Sequence, residues 1–365
     1  MSGPLEGVRV LEFGGIGPGP LCGMLLADLG ASVVRIERPQ EKMAWLSMSH
    51  GADILGRGKR VIHLDLRAPE THARVMALLA GTDVLLEGFR PGVMERLGLG
   101  PEPCQAANPA LVYGRVTGYG QAGPMADRAG HDINYISLTG ALNAIGTKDD
   151  PIVPLNFIGD YGGGALYLAM GVLAGVVQAR GTGKGTVVDC AMVDGALSMM
   201  AMFWSLLKLG RWQEGRQSNL LDGGAPFYGT YRTKDGGHVA VGALEPQFFA
   251  DLLRLLDMDD SWRARQHERS HWPEMRAEMT RRFAECSRDE WGERALQYDC
   301  CVTPVLKFAE VASHPQIKAR QSVIDRDGLV QPGVAPRFTG MAEGEVNAFS
   351  APIELDALMA LWTSR

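Results

Sequence analysis

Two short blocks of the sequence carry side chains suited to acid–base chemistry. In residues 130–135 (GHDINY) a histidine follows a polar loop, and in residues 159–164 (GDYGGG) Asp160 precedes three glycines. An imidazole and a carboxyl group can each take or release a proton near neutral pH once burial tunes their pKa. Each residue also has a structural interpretation, because a lone histidine is often structural and Asp160 has the position of a helix N-cap. Neither block is decisive alone.

Basic side chains are concentrated between residues 35 and 96, although the chain is acidic overall. It has 36 Lys and Arg against 42 Asp and Glu, a net charge of −6, which argues against nucleic acid as the main partner. Guanidinium and ammonium groups gathered at a loop mouth can hold phosphates, whereas the same charges on a solvated face bind nothing. A ligand with several phosphates would suit the basic cluster, which consists of Arg35, Arg38, Lys42, Arg57, Lys59, Arg60, Arg67, Arg90 and Arg96.

A glycine-rich segment, residues 14–20 (GGIGPGP), follows the first predicted strand in the manner of a dinucleotide-binding turn. Glu37 ends the next predicted strand, where a ribose-binding acid would lie. The GxGxxG spacing fails because Pro20 stands where the third glycine is required. Pro18 and Pro20 also remove two amide donors from a phosphate cradle. Nicotinamide dinucleotide is therefore not the expected ligand.

A second apparent motif, residues 267–271 (HERSH), fits the HExxH pattern of zinc proteases. Its surroundings are hydrophilic, Pro273 follows two residues later, and no third ligand is apparent. The segment is predicted to be a solvated charged stretch, and no metal site is expected.

Composition and terminal sequences bear on the compartment. The six cysteines show no CxxC spacing, which favours a reducing environment. The first residues do not show the basic segment followed by an apolar segment that is typical of a secretory signal. The last residues, LWTSR, do not resemble the peroxisomal signal SKL. The apolar runs 166–177 and 196–207 are shorter than the roughly 20 residues of a spanning helix. We expect a soluble, cytoplasmic protein without membrane insertion.

Strands and helices alternate in the first half of the chain, which predicts a mostly parallel sheet covered on both faces. The predicted strands are 8–13, 32–37, 61–66, 83–87 and 111–117, and the helices are 21–29 and 69–79.

The pattern changes after Asp160. A helix opens at glycines 162–164, a strand follows at 187–189, and a methionine-rich helix, best explained by core or interface packing, spans about 196–209. Residues 227–241 form two strand-like runs around Asp235-Gly236-Gly237, which predicts a hairpin. Charged helical segments then continue to about 310, so a second, α+β domain is predicted from about 225 to 315.

Nine blocks in order resemble the class III CoA-transferase family over nearly the whole chain. The GHDINY and LEPQFF blocks favour its α-methylacyl-CoA racemase branch. The blocks are PLEGVRVLEFGGIGPGP, LGASVVRIERP, DVLLEGFRPGVMERLGLGP, VTGYGQAGP, AGHDINYISLTG, GDYGGGA, GKGTVVDCAMVDG, LDGGAPFYGTY and VAVGALEPQFF.

The resemblance implies an α/β fold with a Rossmann-like large domain and a smaller α+β domain. The large domain would take residues 1–190 and about 316–365, a linker helix region 191–224, and the small domain 225–315. Two subunits would interlock as a homodimer. The large domain would bind CoA, which is part of the substrate, so no separate cofactor is expected. The matching positions are Arg38, Leu64, Asp65, Leu66, Arg67, Gly88, Phe89, Arg90, Arg96, Gly130, Asp132, Ile133, Asn134 and Tyr135.

By the same resemblance, His131 and Asp160 form the catalytic pair, and Glu245 of the partner subunit orients the histidine. The implied reaction is racemisation of 2-methylacyl-CoA thioesters by 1,1-proton transfer through an enolate, an isomerase activity of fatty acid metabolism. Desolvation should then raise the pKa of Asp160, and the amides of residues 162–164 are the expected donors to the enolate oxygen. The methionines near 192–202 would line an apolar acyl surface.

The alternative is a CoA transferase, in which Asp160 forms a covalent acyl anhydride. Transferases of this family generally lack the histidine matching His131, so its presence favours racemisation.

Overall fold

Two compact units make up the chain, and the computed structural model describes residues 3–39, 52–341, 344–350 and 352–363. The first unit comprises Met1–Ala141, Pro154–Ala201 and Ala312–Arg365, and the second comprises Leu142–Val153 and Met202–Val311. The chain therefore leaves the first unit after His131 and returns to it before Asp160.

A six-stranded parallel sheet organises the first unit, as the alternation predicts. The strands are β1 (Arg9–Phe13), β2 (Ser32–Glu37), β3 (Lys59–His63), β4 (Val84–Glu87), β5 (Val112–Thr117) and β6 (Val187–Ala191), in the order β3-β2-β1-β4-β5-β6. The chain runs outward in one direction from β1 to β3 and in the other from β4 to β6, so the strand order reverses between β1 and β4.

Both faces of this sheet are covered by helices. Successive residues of a strand point to opposite faces, so Val10 packs into one apolar core and Leu11 into the other. The helices of the first unit are α1 (Pro18–Asp28), α2 (Pro69–Leu79), α3 (Val93–Arg96), α4 (Pro101–Ala107), α5 (Asp132–Ser137), α6 (Ala141–Ala144, which runs into the second unit), α7 (Tyr167–Thr182) and α8 (Met192–Met199).

The long helix around Asp160 begins earlier than its glycines predict. Wide, i to i+5 turns run from Phe157 to Leu166 and continue directly into α7, so Asp160 lies inside the helix and is not an N-cap. The glycines serve close packing instead. A Cβ on Gly163 would lie 2.6 Å from the backbone nitrogen of Ala196, which is too close for any side chain.

The stretch Phe157–Thr182 is long and apolar enough to cross a membrane by length and composition. Its inner face, with Leu168, Val172 and Val176, belongs to the core of the sheet. The outer face carries exposed apolar side chains. This distribution is typical of a core helix with one uncovered side.

The second unit holds a three-stranded antiparallel sheet. The predicted hairpin is confirmed, with Tyr228 opposite Gly242 and the turn at Asp235, whose carboxylate accepts from the Thr233 hydroxyl and the Gly237 amide. Aromatic side chains, among them Phe227 and Phe283, fill its core. Its strands are β7 (Tyr228–Arg232), β8 (His238–Gly242) and β9 (Val302–Pro304).

The methionine-rich helix predicted at about 196–209 is two helices, because α8 ends at Met199 and α9 begins at Ala201. The helices from here through the second unit are α9 (Ala201–Lys208), α10 (Pro246–Leu255), α11 (Trp262–Arg265), α12 (Trp272–Phe283), α13 (Arg288–Ala295) and α14 (Phe308–Val311).

Arg216 fixes the segment Leu142–Val153 within the second unit. Its guanidinium donates to the backbone carbonyls of Asn143, Thr147, Lys148 and Asp149 at 2.6 to 3.3 Å.

The C-terminal part of the chain belongs to the first unit. Its elements are α15 (Pro315–Ala319), the antiparallel strands β10 (Val323–Arg326) and β11 (Leu329–Pro332), and α16 (Leu355–Thr363).

Candidate active site

One edge of the parallel sheet collects the positions matched to CoA binding. Arg38 follows β2, residues 64–67 follow β3, residues 88–90 follow β4, and residues 130–135 follow β5. Because the strands are parallel, all these segments leave the sheet at its carboxyl edge, where open α/β sheets bind ligands. The cations exposed there are Arg38, Arg67, Arg90 and Arg96.

Only part of the basic cluster is free to hold phosphates. The guanidinium of Arg57 and the ammonium of Lys59 are fully buried, so a phosphate-binding role for these two is wrong. Burial of a charge requires a partner. Lys42 lies outside the described residues. The ion pairs are Arg57 with Asp28 at 2.6 Å, Lys59 with Glu12 at 2.7 Å, and Arg35 with Glu37 at 2.6 Å and Asp53 at 2.9 Å.

The glycine-rich loop supports Asp160. Gly17 has φ 72°, a conformation that side chains rarely adopt, and a Cβ there would lie 3.1 Å from Oδ2 of Asp160. The loop therefore brings bare backbone against a carboxyl group. The sequence argues against a dinucleotide cradle here, but it gives no sign of this role, because Gly17 and Asp160 lie far apart in the chain.

Hydrogen bonds to nearby side chains fix the backbone at Gly130 and His131. His131 immediately precedes α5, and its amide donates to Oδ1 of Asn134 at 3.1 Å. The Tyr135 hydroxyl donates to the carbonyl of Gly130, and the Tyr135 ring packs edge-on against Tyr119 with centroids 5.0 Å apart. The imidazole itself belongs to an exposed residue. A fixed backbone with an exposed ring is what a proton-transferring group needs.

Asp160 is half-buried, and its carboxyl group is tuned by its neighbours. Burial raises its pKa above the ordinary value, and the negative charge of Asp132 raises it further; a hydrogen bond from Asn156 and the charge of His131 act in the opposite direction. The Asn156 amide donates to Oδ2 at 3.2 Å. The upward direction agrees with the expectation from sequence. A raised pKa leaves more of the carboxyl protonated near neutral pH.

An ion network, buried except for the exposed Glu95, lies beneath residues 88–90, and no local sequence signal indicates it. The carboxylate of Glu87 accepts from the Phe89 amide at 2.8 Å and from Arg115 at 2.7 Å. Arg115 also donates to both oxygens of Glu95, at 2.7 and 3.2 Å. Burial raises the pKa of Glu87, and the hydrogen bond from Arg115 lowers that of Glu95. The network fixes the turn between two predicted CoA-binding positions, Phe89 and Arg96.

The amides of residues 162–164 are not at a helix start. They lie inside the wide turns of Phe157–Leu166, where amides bond to carbonyls of the same helix. Their predicted role as donors to an enolate oxygen is therefore wrong. By contrast, α5 begins at Asp132, and the first amides of a helix have no acceptor within it. The Asp132 and Ile133 amides at this helix start come directly after His131 in the chain.

Glu245 lies in the second unit. It is exposed, follows β8, and occupies the N-cap position of α10, whose first residue is Pro246. Its predicted action on the histidine stays a prediction.

The HExxH segment does not form the helix that a zinc site of this type needs. Arg269–His271 is a single 3₁₀ turn before α12. The His267 ring packs edge-on against Phe227, and His271 pairs with Glu268 at 3.2 Å. Within the described ranges, no group of three or more His, Cys, Asp or Glu side chains is arranged to hold a metal ion.

Comparison with known proteins places the chain in a family. CoA-transferase family III matches residues 5–350. Human alpha-methylacyl-CoA racemase is 44% identical over 334 residues, which cover 91% of this chain and 85% of that protein. Succinyl-CoA–D-citramalate CoA-transferase from Chloroflexus aurantiacus is 31% identical, over 93% of this chain and 89% of that one.

A solved structure agrees with the described fold. The crystal structure of a CaiB/BaiF family protein from Brucella suis has a TM-score of 0.80 at 27% identity, over 99% of this chain and 100% of that one. The sequence matches and the shared fold both confirm the resemblance stated from the nine blocks. The chain belongs to CoA-transferase family III.

Proposed function

We propose that this protein racemises 2-methylacyl-CoA thioesters, with His131 and Asp160 as the acid/base pair. The observation that carries the proposal is that the carboxylate of Asp132, the residue after the exposed His131, accepts from the backbone amide of Asp160, whose own carboxyl group has a raised pKa. The identity of 44% to human alpha-methylacyl-CoA racemase, against 31% to a CoA-transferase, supports the choice within the family.

The mechanism follows from proton balance. Inversion at the α-carbon needs one group to remove a proton from one face and another to deliver a proton to the opposite face. Neutral His131 with protonated Asp160 serves one epimer, and imidazolium with aspartate serves the other. General acid–base catalysis of this kind contributes about 10²–10⁴-fold to the rate. Enolate charge would be stabilised by the amides at the start of α5.

CoA would lie along the carboxyl edge of the sheet. The exposed guanidinium groups of Arg38, Arg67, Arg90 and Arg96 supply charge for its phosphates. The segments 64–67 and 88–90 would line the same path.

The acyl group would lie on a methionine surface next to Asp160. A Cβ on Gly162 would lie 2.9 Å from Cε of Met199, so Met199 packs closely against Gly162. Gly162 follows Asp160 by two residues in the chain. Met199 is 41% exposed, which leaves thioether surface free for a branched chain. Methionine adapts its shape to varied apolar ligands.

A second copy of the chain would cover the outer face of α7. Leu166, Met170 and Val177 are 54%, 61% and 74% exposed and lie on one side of the helix. Contiguous apolar surface of this kind marks interaction sites in soluble proteins. A homodimer would also allow Glu245 of the partner subunit to reach the histidine. A cytoplasmic location stays a prediction.

The test follows one epimer of a 2-methylacyl-CoA in D₂O. We expect deuterium at C2, loss of stereochemical purity and no release of CoA. Transfer of labelled CoA to an added carboxylic acid, without deuterium at C2, would overturn the proposal and establish the transferase alternative with Asp160 as nucleophile.

A further inference from the structure

The carboxylate of Asp132 joins the two proposed catalytic residues. Asp132 follows His131 directly and opens α5. Its Oδ2 accepts hydrogen bonds from the amides of Gly159 and Asp160, each at 2.7 Å. Asp132 is 5% exposed. One carboxylate therefore ties the backbone of Asp160 to the residue that follows His131.

The fit around this carboxylate is close. A Cβ on Gly159 would lie 2.8 Å from Oδ2 of Asp132, so only glycine allows the approach. The second oxygen, Oδ1, is buried without a hydrogen-bond partner among the described residues. A buried carboxylate oxygen without a partner loses its hydration, which costs free energy of folding. Its presence therefore calls for an explanation, and a role at the site is one.

We propose that Asp132 is a positioning residue for racemisation, which fixes Asp160 relative to His131 and holds a negative charge beside the Asp160 carboxyl group. This inference rests on the proposed function. The resemblance places Asp132 among the CoA- and substrate-binding positions, which stays a prediction. Its carboxylate accepts hydrogen bonds from the amides of residues 159 and 160 and is assigned here to the positioning of Asp160.

The chain gives a reason for such a tie. Between His131 and Asp160 the chain leaves the first unit and enters the second through Leu142–Val153. Covalent connection along this route does little to fix the spacing of the two groups. The two hydrogen bonds of Asp132 connect them directly within the first unit, and preorganised geometry of this kind determines proton-transfer rates.

The charge of Asp132 has a second effect. This charge contributes to the raised pKa of the Asp160 carboxyl group described above. Among the described residues, the titratable groups that interact electrostatically with Asp160 include His131, Asp132 and Tyr135, from α5 and its N-cap. The glycine-rich loop faces it with Gly17, and α8 packs on the neighbouring glycines through Met192 and Gly195. Removal of the Asp132 charge should therefore lower the pKa of Asp160.

Two substitutions separate position from charge. Asp132→Asn keeps an oxygen that can accept from both amides but removes the charge. We expect kcat within about tenfold of wild type and an acid limb of the kcat/KM profile displaced to lower pH. Asp132→Ala removes both hydrogen bonds, and we expect kcat to fall about 100-fold or more with little change in KM. Glu102→Gln, an exposed first-turn acid of α4, is the matched control and should match wild type.

A measurement independent of turnover accompanies the kinetics. ¹³C NMR titration of aspartate-labelled protein, with the Asp160 resonance assigned from Asp160→Asn, should give a lower pKa for Asp160 in Asp132→Asn than in wild type. This readout tests the effect of the Asp132 charge even if Asp132→Ala fails to fold.

The outcomes are distinct. Wild-type protein that produces no deuterium exchange at C2 refutes the proposed function, whatever the variants do. An active wild type refutes the positioning role if Asp132→Ala keeps its kcat, or if its loss lies entirely in KM, which would return Asp132 to CoA binding. An unchanged Asp160 titration in Asp132→Asn refutes the role of the charge.

Discussion

The contact between Gly17 and Asp160 gives a sharp test of the site. Replacement by alanine forces a side chain into φ 72° and places its Cβ 3.1 Å from Oδ2 of Asp160. Gly17 combines φ 72° with ψ −118°, a backbone conformation outside the left-handed helical region, and holding a residue with a side chain there costs about 1–3 kcal/mol. The carboxyl group must also move by a few tenths of an ångström. We expect the free energy of unfolding to fall by about 1–3 kcal/mol and kcat to fall by about tenfold or more.

Two other glycines separate the causes. Gly123 also has positive φ, 98°, but a Cβ there meets nothing within 4 Å, so Gly123→Ala should lose stability and keep its kcat. Gly15 lies in the same loop as Gly17, with an ordinary φ and nothing within 4 Å, so Gly15→Ala should alter neither quantity.

The assays are urea denaturation and deuterium exchange at C2 of a 2-methylacyl-CoA. If Gly17→Ala loses stability but exchanges deuterium at the wild-type rate, the loop does not position Asp160 and our account of its glycines is refuted.

Further predictions concern the catalytic pair and the buried charges. His131→Ala and Asp160→Ala should each abolish interconversion of the two epimers, because each variant keeps only one of the two proton-transferring groups, while binding a CoA ester with near wild-type affinity, as measured by calorimetry; full racemase activity in either variant would remove that residue from the pair. Because the folded-state pKa of Asp160 is raised, its carboxyl group favours folding only while protonated and opposes it as pH rises. Asp160→Asn should therefore raise the free energy of unfolding at pH 8, by less than about 1 kcal/mol given the partial exposure, with no gain at pH 3. An equal gain at both pH values would contradict a raised pKa of Asp160 in the folded state. Lys59→Met leaves Glu12 buried without its partner and should lower the free energy of unfolding by about 3–5 kcal/mol. The double variant with Glu12→Leu should recover most of that loss. A double variant as unstable as the single one would show that the pair does not act as a unit.

The sequence was a good guide to the sheet and its helices. Ser32–Glu37 and Pro69–Leu79 have the predicted bounds, since compact apolar runs and a proline at the first helical position are local signals. Residues 35–96 were harder to interpret. Nothing in the residue types shows that Lys59 lies beneath α1 while Arg38 is exposed, because burial of a charge depends on a partner such as Glu12, distant in sequence.

The helix at Asp160 shows the same limit. Three consecutive glycines are a reasonable signal for a helix start, but here they are required by α8, which packs against them. The role proposed for Asp132 was also hidden, because its partners lie 27 and 28 residues away in the chain. The type and order of the catalytic candidates could be predicted from sequence; the groups that hold them could not.

The passage of Leu142–Val153 into the second unit limits how this protein can be divided. A fragment that ends at Ala201 would retain that segment without Arg216, whose guanidinium caps its carbonyls. A chimera with a single crossover between residues 153 and 216 would pair this segment from one parent with position 216 of the other. Exchange of the second unit as a module therefore requires two separate replacements, one of which falls between His131 and Asp160.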